Sequence, residues 1–367
     1  MKSSFAFEGS DTYPTCHAGT ICELENGDLL AAWYTGKYEG SPDSVICGSR
    51  LRSGEQTWEP PTVFVNVANR AAGNPRLFVG PDKGVWLISP VNYGEWCDGG
   101  TRMFMKRSYD LGLTWTDLEI LTRRRRILGK NKPIFIKPSV WILPMEYEGL
   151  GNVAFMRSAN GGKTWKIIDC GGGGAYLDQP TLVQLSNGDL LAYMRSWEGY
   201  IYATCSHDLG LTWDKPSPTG LPNNNSGIDM VRLASGKLVL AYNPTALGAT
   251  GNLTSSDLYG VGVALRFAHS ALKKAGGDEL QRKIFKVETE ADLHSSGLLS
   301  WGPRTPLVVG VSDDEGASWR TALVLEDAPG EYSYPAVIQG ADGAIHILFT
   351  HRRTRMKHVR LEESDLG

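Results

Sequence analysis

The chain has 367 residues, of which 41% are hydrophobic and 21% charged, so it is long enough to bury a sizeable core. Its formal net charge of −3 gives no global attraction for nucleic acid or for an acidic membrane surface. Six cysteines lack the paired spacing of a zinc site, and no apolar run is long enough to cross a bilayer, so neither a metal scaffold nor a membrane span is expected.

Six segments share one pattern along the chain: a short apolar strand, a polar turn and a second apolar strand. Apolar runs of this length, bounded by turn residues, are typical of β-hairpins. The six segments begin at His17, Pro75, Pro133, Pro180, Ile228 and Pro335. Between two strand-like segments, Arg123 to Arg126 form a basic run, which we interpret as a solvated loop, with contact to a polyanion as the alternative.

A second repeat follows the hairpins and has the form Ser-x-Asp-x-Gly-x-Thr-Trp. The aspartate can accept hydrogen bonds from nearby backbone amides, the glycine supplies a positive φ, and the tryptophan can pack under the turn. The motif therefore predicts a tight hairpin turn. Its copies end at Trp115, Trp165, Trp213 and Trp319, with a degenerate copy at Trp58.

Each hairpin is followed by a third strand that runs into the Ser-x-Asp turn, and a fourth strand follows the tryptophan. Four strands in each of six units predict an all-β fold, a six-bladed β-propeller formed by residues 1–367 as one domain. Phe5–Glu8 is predicted to supply the outer strand of the last blade and close the ring. Residues 245–302 are an insertion in blade 5 with helical spacing at its centre, for which a lid and an oligomer contact both stay open.

The residues just before each innermost strand are expected to form a ring around the propeller axis. This ring is polar, basic and aromatic, which indicates a binding site. Its members are Cys16, His17, Asn74, Arg76, Asn131, Lys132, Asp178, Gln179, Asn225, Ser226, Tyr332 and Tyr334. His17 is interpreted as an acid or base or as a structural histidine, and Asp229 as a catalytic carboxylate or a turn cap.

The repeated turns, the six hairpins and the context of particular arginines resemble the sialidase (neuraminidase) superfamily, in its bacterial-type BNR-repeat branch. The resemblance covers nearly the whole chain except the insertion. It implies a sialidase-like glycoside hydrolase that acts on a carboxylated sugar with retention of configuration. In that family three arginines hold the carboxylate, a tyrosine with a glutamate partner is the nucleophile, and an aspartate is the acid. Arg195 matches the second family arginine, Arg304 the third, and Tyr332 the nucleophile.

Two family positions hold other residues in this chain. Cys16 and His17 stand where the first arginine belongs, and Gln179 stands where the glutamate belongs. Because a carboxamide cannot remove a proton, Glu331 or Glu146 would have to serve as the base for the tyrosine.

The general acid is expected in the loop after the first hairpin, where Glu39 is the first candidate and Asp43 the second. In the resulting mechanism Tyr332 attacks the anomeric carbon, Glu39 protonates the leaving group, and the two arginines hold the carboxylate. The further residues predicted to bind substrate are Gln179, Asn74, Arg76, Lys132, Asn225 and Asp229.

Two other functions stay open. One is a polysaccharide lyase in which His17 and Tyr332 act as base and acid across a uronate. The other is a carbohydrate-binding propeller without chemistry. The expected partner is an acidic sugar or glycoconjugate, with no nucleic acid, membrane, cofactor or metal, and the oligomeric state is left open. The N-terminal segment lacks an apolar signal core, so a cytoplasmic location is expected, or secretion if a signal peptide has been removed.

Overall fold

The computed structural model describes residues 1–93, 99–246 and 303–367. In chain order its elements are β1 (Lys2–Phe7), β2 (Thr15–Glu23), β3 (Leu29–Gly36), β4 (Val45–Leu51), β5 (Thr62–Val65), β6 (Arg76–Val79), β7 (Val85–Val91), β8 (Arg102–Ser108), β9 (Glu119–Ile120), β10 (Ile127–Leu128), β11 (Ile134–Lys137), β12 (Val140–Tyr147), β13 (Asn152–Ser158), β14 (Lys166–Gly171), β15 (Leu177–Gln184), β16 (Leu190–Ser196), β17 (Tyr200–Ser206), β18 (Ser217–Pro222), β19 (Asp229–Arg232), β20 (Leu238–Tyr242), β21 (Leu307–Ser312), β22 (Arg320–Glu326), β23 (Tyr332–Gln339), β24 (Ile345–His351), β25 (Arg355–Leu361) and a 3-10 helix (Glu363–Leu366).

The strands form six antiparallel sheets, which are the blades of a propeller. Blades 1 to 5 consist of β2–β5, β6–β9, β10–β14, β15–β18 and β19–β22, and blade 6 consists of β23–β25 with β1. Innermost strands of neighbouring blades lie against each other, β2 on β6 and β23, and β19 on β15 and β23. The predicted six-bladed propeller and its six hairpins are confirmed.

The ring is closed by the N-terminal strand, as the sequence predicts. β1 pairs with β25 in an antiparallel register that runs from Lys2 opposite Arg360 to Phe7 opposite Met356. The first and last strands of the chain therefore share one blade. The predicted insertion at residues 245–302 falls between β20 and β21 of blade 5, and all but its first two residues lie outside the described residues.

The second strands of the blades lie in the core of the propeller. Every residue of β3, β7 and β16 is buried, because neighbouring blades cover both faces of these strands. Trp33, Trp86 and Trp141 are among the largest fully buried side chains. Trp86 of blade 2 and Trp141 of blade 3 meet edge to face with 5.2 Å between ring centroids, so aromatic packing joins adjacent blades.

The Ser-x-Asp turns have the predicted hydrogen bonds. Asp110 Oδ1 accepts from the Thr114 amide at 2.8 Å, φ is +82° at Gly112, and equivalent amide contacts occur in the other three full copies. The hydrogen bonds from Thr114 lower the pKa of Asp110 to about 2. The closing Trp213 stacks on Phe155 of the preceding blade with 3.7 Å between centroids. Each turn thus orders a hairpin, and its tryptophan is available to fasten one blade to the next.

Left-handed backbone residues occur where the innermost strands begin, on the axial face. They include Ala18, Asn74, Gln179, Asn225 and Tyr334, whose φ values lie between +29° and +59°. In β2, β15 and β23 the strand register shifts at this point, which is the mark of a β-bulge. Positive φ is unfavourable for residues other than glycine and concentrates at functional sites. The bulges break the side-chain alternation of the strands and decide which side chains face the axis.

Candidate functional site

Tyr334 lies where four blades converge on the axis. Its hydroxyl accepts hydrogen bonds from Arg195 Nη1 and, at 3.3 Å, from Gln179 Nε2. The Cζ atoms of Arg195 and Arg304 lie 5.6 Å and 5.4 Å from the centroid of its ring. The ring of His17 packs against it with 4.1 Å between centroids. Residues from blades 1, 4, 5 and 6, far apart in sequence, therefore form one cluster.

Tyr332, the nucleophile predicted from the sequence, lies outside this cluster. It is 1% exposed and packs among apolar residues of blades 5 and 6, with its ring 5.0 Å from that of His351 and its hydroxyl 3.4 Å from Arg352 Nε. In a regular strand residues two apart face the same way, but β23 has a register shift here and Tyr334 has a φ of +53°. The amide of Tyr332 donates to the Arg304 carbonyl at 3.0 Å, but its phenol does not meet the two guanidinium groups as expected, and Tyr334 takes that place.

Arg195 is buried near the end of β16 and is held in one orientation. Its Nη1 donates to Gln179 Oε1 at 3.1 Å, and its Nη2 lies 3.6 Å from Asp178 Oδ2. Burial alone would lower its pKa, but Tyr334, Asp178 and Glu146 raise it above the ordinary value. Arg195 Nε is buried and has no hydrogen-bond partner among the described residues. This guanidinium is therefore charged and fixed.

Arg304 belongs to a second group of charges, centred on a carboxylate. Glu331 Oε1 accepts from Arg304 Nη1 at 2.6 Å and from Arg353 Nε at 2.9 Å, and Glu39 Oε2 accepts from Arg353 Nη1 at 2.7 Å. Glu331 is fully buried. Burial lowers the pKa of Arg304, and the charge of Glu331 opposes that effect. Two arginines and two carboxylates thus form a continuous chain of ion pairs.

Arg353 is a site residue that sequence reasoning did not assign. It is 4% exposed, whereas the neighbouring Arg352 faces solvent. Both residues are left-handed, which makes the hairpin turn between β24 and β25 tight and directs Arg353 inward. Its carbonyl accepts from the Cys16 amide at 2.7 Å. Arg353 therefore lies beside the segment in which the first family arginine is replaced by Cys16 and His17.

His17 is buried in contact with the central tyrosine. Its Nδ1 and the Thr350 hydroxyl lie 2.8 Å apart, and its ring meets Tyr34 edge to face at 5.7 Å. The residue is 2% exposed. The structure thus places His17 against Tyr334 and gives its ring a hydrogen bond with Thr350, and its role as acid or base stays a prediction.

A buried carboxylate, Glu146, lies behind Gln179. The amide of Gln179 donates to Glu146 Oε2, so a carboxyl group lies directly against the residue that replaces the family glutamate. Burial raises the pKa of Glu146 to about 8, and the negative charge of Asp178 adds to the effect. Glu146 is therefore a proton-binding group next to the cluster at neutral pH.

Lys130 also reaches the cluster and was not singled out from the sequence. Its Nζ donates to Asn131 Oδ1 at 3.0 Å and to the Pro335 carbonyl, and lies 5.8 Å from the centroid of the Tyr334 ring. Burial lowers its pKa to about 7. No motif marks this lysine, because only the packing of blade 3 against blade 6 brings it to the axis.

Three residues predicted to bind substrate, Asp229, Lys132 and Arg76, form hydrogen bonds within the protein instead. Asp229 accepts hydrogen bonds from four donors in four blades, one of which is Lys132 Nζ at 2.7 Å. Arg76 is fully buried, donates to the Pro144 carbonyl at 2.9 Å, and has its pKa lowered by burial to about 9. The structure therefore gives Asp229, Lys132 and Arg76 a role in the hub of the propeller, where the sequence placed them as ligand contacts.

Asn225 is fully buried, and neither its side-chain oxygen nor its nitrogen has a partner among the described residues. Gly227, two residues later, abuts Gln179 and Tyr334, so this segment borders the cluster. Asn74 is 5% exposed in a left-handed conformation. Of the two candidate acids, Glu39 joins the ion-pair chain, whereas Asp43 is exposed and accepts from Ser41. The geometry thus favours Glu39 over Asp43.

Two further searches of the part of the chain that the structure describes gave no candidate. Histidine, cysteine, aspartate and glutamate side chains form no group of three or more there that could hold a metal ion. No helix in the same residues has the length and apolar character needed to span a membrane.

The fold agrees with those of known sialidases. The chain superposes on the Hadza microbial sialidase Hz136 with a TM-score of 0.71 and 15% identity, over 100% of this chain and 69% of that one. It superposes on the intramolecular trans-sialidase of Ruminococcus gnavus with a TM-score of 0.67 and 15% identity, over 99% and 97%. A Dyadobacter fermentans protein of unknown function gives 0.70 at 12% identity, over 99% and 98%. A search of the curated proteins gives no match.

The strand arrangement is a six-bladed propeller with the fold of these sialidase structures. At the sequence level, the family model described as a BNR repeat-like domain matches residues 27–347. The chain belongs to that family.

Proposed function

We propose that the protein is a glycoside hydrolase that cleaves a terminal carboxylated sugar at the axial site. The observation that supports this most strongly is the convergence of two buried arginines on one tyrosine, with Arg195 and Arg304 within 5.6 Å of the Tyr334 ring centroid. Guanidinium groups bind carboxylates through paired, charge-assisted hydrogen bonds. The solved structure of the Ruminococcus gnavus protein contains oseltamivir carboxylate, a ligand of the same charge type.

In this proposal the carboxylate is held by Arg195, Arg304 and Arg353. Arg353 supplies the third guanidinium from the last hairpin, in place of the arginine that the family has ahead of the first inner strand. Glu331 keeps Arg304 and Arg353 together, with its Oε1 within 2.9 Å of both. These internal ion pairs fix the guanidinium groups before the ligand arrives, which reduces the entropy lost on binding.

Tyr334 is the nucleophile in this mechanism. Its Oη forms a bond to the anomeric carbon while the bond from that carbon to the leaving-group oxygen breaks, and Glu39 in its protonated form gives that oxygen a proton. The phenol proton passes to the carboxylate of Asp178, whose Oδ2 lies 3.6 Å from Nη2 of the same guanidinium that donates through Nη1 to Tyr334 Oη. Burial and the neighbouring charge raise the pKa of Glu146 to about 8, so this residue already holds its proton near neutral pH and leaves Asp178 as the acceptor. Water then cleaves the glycosyl–tyrosine bond, with retention overall.

The test is turnover of a panel of sialosides and uronate oligosaccharides by the purified protein, with release of the free acidic sugar as readout. Tyr334→Phe should reduce kcat by at least 100-fold, a size typical of the loss of a reacting group. Tyr332→Phe is the matched control, because that tyrosine lies in the hydrophobic core between blades 5 and 6. Equal activity of Tyr334→Phe and the wild type would refute the assignment. Binding without turnover would favour a carbohydrate-binding propeller.

A lyase is the second candidate, and one contact favours it. The rings of His17 and Tyr334 lie 4.1 Å apart, so an imidazole and a phenol are available as base and acid for elimination across a uronate held by the arginines. An unsaturated product absorbs in the ultraviolet, whereas a hydrolysis product does not. Ultraviolet-absorbing product from the uronate oligosaccharides, lost in His17→Ala, would establish this alternative.

A further inference from the structure

A group of arginines lies on the rim of blades 2 and 3. The arginine patch, as we define it, consists of Arg70, Arg102, Arg123, Arg124, Arg125 and Arg126 with Tyr93 and Tyr147. The loop that carries the four consecutive arginines joins β9 to β10 and runs beside the start of β8. Two backbone hydrogen bonds fix it there, from the Leu121 amide to the Met103 carbonyl at 2.9 Å and from the Arg126 amide to the Thr101 carbonyl at 3.2 Å. The loop is thereby held on both sides of Arg102 in the chain.

The patch opens on the same face of the propeller as the axial site. The second strand of each blade ends on that face. Tyr147 is the last residue of β12, Tyr93 follows the end of β7, and Arg195 of the axial site is the next-to-last residue of β16. The patch therefore lies on the same face as the axial site, at the rim of blades 2 and 3.

The ring of Tyr93 orients Arg70 and Arg102, and Tyr147 orients Arg124, which also donates a hydrogen bond to the Tyr147 hydroxyl. Arg70 Cζ and Arg102 Cζ lie 4.4 Å and 4.6 Å from the centroid of the Tyr93 ring, and Arg124 Cζ lies 5.8 Å from that of Tyr147. A guanidinium that lies over an aromatic ring keeps the N–H edges that bind carboxylate or sulfate in paired fashion. Tyr93 is 36% exposed, and the four arginines of the loop are exposed. Arg124 is thus both oriented by a ring and accessible, and the other three arginines of its loop are accessible beside it.

The positive charge of the patch is not neutralised within the described residues. None of its six arginines forms an ion pair there, whereas Arg50, Arg232 and Arg360 elsewhere each do. The adjoining carboxylates have other partners, since Glu148 Oε2 accepts from the Thr101 amide at 3.4 Å and Asp169 accepts from the Tyr147 hydroxyl. A cluster of like charges in a chain with a net charge of −3 repels itself, and an anionic ligand relieves that repulsion.

We propose that the arginine patch binds an extended anionic polysaccharide, with carboxylate or sulfate groups along the chain, whose terminal carboxylated sugar occupies the axial site. That the end of the polysaccharide lies in the axial site rests on the function proposed above. A polysaccharide fits better than a nucleic acid or a lipid surface because the patch and a carboxylate-binding pocket share one face. The sequence left two interpretations of Arg123–Arg126, a solvated loop and a contact with a polyanion. This proposal adopts the second for a loop that is exposed in the free protein.

The experiment measures binding and not turnover, so that it stays separate from the test of the proposed function. Polysialic acid and polygalacturonate are titrated into wild-type protein by calorimetry, with dextran as the neutral polymer. The patch variant is Arg123→Ser with Arg124→Ser and Arg125→Ser. The matched control removes three positive charges near the opposite, Ser-x-Asp face, as Lys163→Ser with Lys166→Ser and Lys215→Ser. Circular dichroism checks that both variants are folded.

We expect the patch variant to bind one of the anionic polymers at least tenfold more weakly than the wild type and with a shallower salt dependence, because exposed charge contacts are screened by ions. The lysine variant should retain wild-type affinity, and Arg195→Met should retain the contribution of the patch even if the axial site is lost. Absence of polymer binding by the wild type, equal weakening by both triple variants, or tighter binding of a single-stranded RNA or of phosphatidylserine vesicles would each overturn the proposal.

Discussion

Asp229 is expected to be a determinant of stability, and the change that tests this is Asp229→Asn. Its Oδ2 accepts from Lys132 Nζ at 2.7 Å and the Val337 amide at 2.8 Å, and its Oδ1 accepts from Thr181 Oγ1 at 2.7 Å and the Met230 amide at 3.0 Å. These donors come from blades 3, 6, 4 and 5. An asparagine has the same shape, but either orientation of its amide sets an NH₂ group against two donors.

The size of the effect follows from burial. Removing one partner of a buried ion pair costs about 3–5 kcal/mol, and we expect about 3 kcal/mol because the Lys132 side chain keeps 19% exposure. With an unfolding entropy of about 2.1 cal/mol/K per residue over 367 residues, this corresponds to a fall in Tm of about 4 °C.

The assay is differential scanning calorimetry at one scan rate, with Asp313→Asn as a control at an exposed carboxylate. The double variant Asp229→Asn with Lys132→Met should recover part of the lost stability, because it removes the stranded ammonium group. A Tm within about 1 °C of the wild type for Asp229→Asn would refute this account of the hub. An unchanged Tm together with lost affinity for acidic sugars would return Asp229 to the role of a ligand contact.

Three further changes have expected outcomes. His346 Nδ1 and His358 Nε2 lie 3.0 Å apart, and burial lowers the pKa of His346 to about 4 and that of His358 to about 3. Both imidazoles bind protons more readily in the unfolded chain, so the Tm should fall as the pH drops from about 6.5 toward 4. The fall should be less steep when both histidines are replaced by glutamine. Deletion of residues 1–8 removes β1 and exposes the edge of β25, so size-exclusion chromatography should show concentration-dependent association, and elution like that of the wild type at every concentration would contradict this. Gly227→Ala places a methyl group 3.2 Å from Gln179 Oε1, so calorimetric titration should show weaker binding of the acidic sugar at nearly unchanged Tm.

Two of the axial arginines could be predicted from the sequence, and the third could not. Arg195 and Arg304 lie in strand contexts that a family pattern marks, and the structure brings both to the same tyrosine. Arg353 follows an arginine that faces solvent, and only a tight turn with two left-handed residues decides which of the pair is buried. Such a turn depends on tertiary contacts, here the hydrogen bond from the Cys16 amide in another blade.

The amino-acid sequence alone determined the six-bladed ring, its closure by the N-terminal strand and the geometry of the Ser-x-Asp turns, because these depend on local turn chemistry and on a repeated alternation of apolar strands. Only the tertiary structure decided that Tyr334 and not Tyr332 reaches the axis, and that Asp229 serves the hub. The physical reason is that a bulge of one residue reverses the direction of the side chains beyond it, and its position is set by packing between blades that lie far apart in the chain.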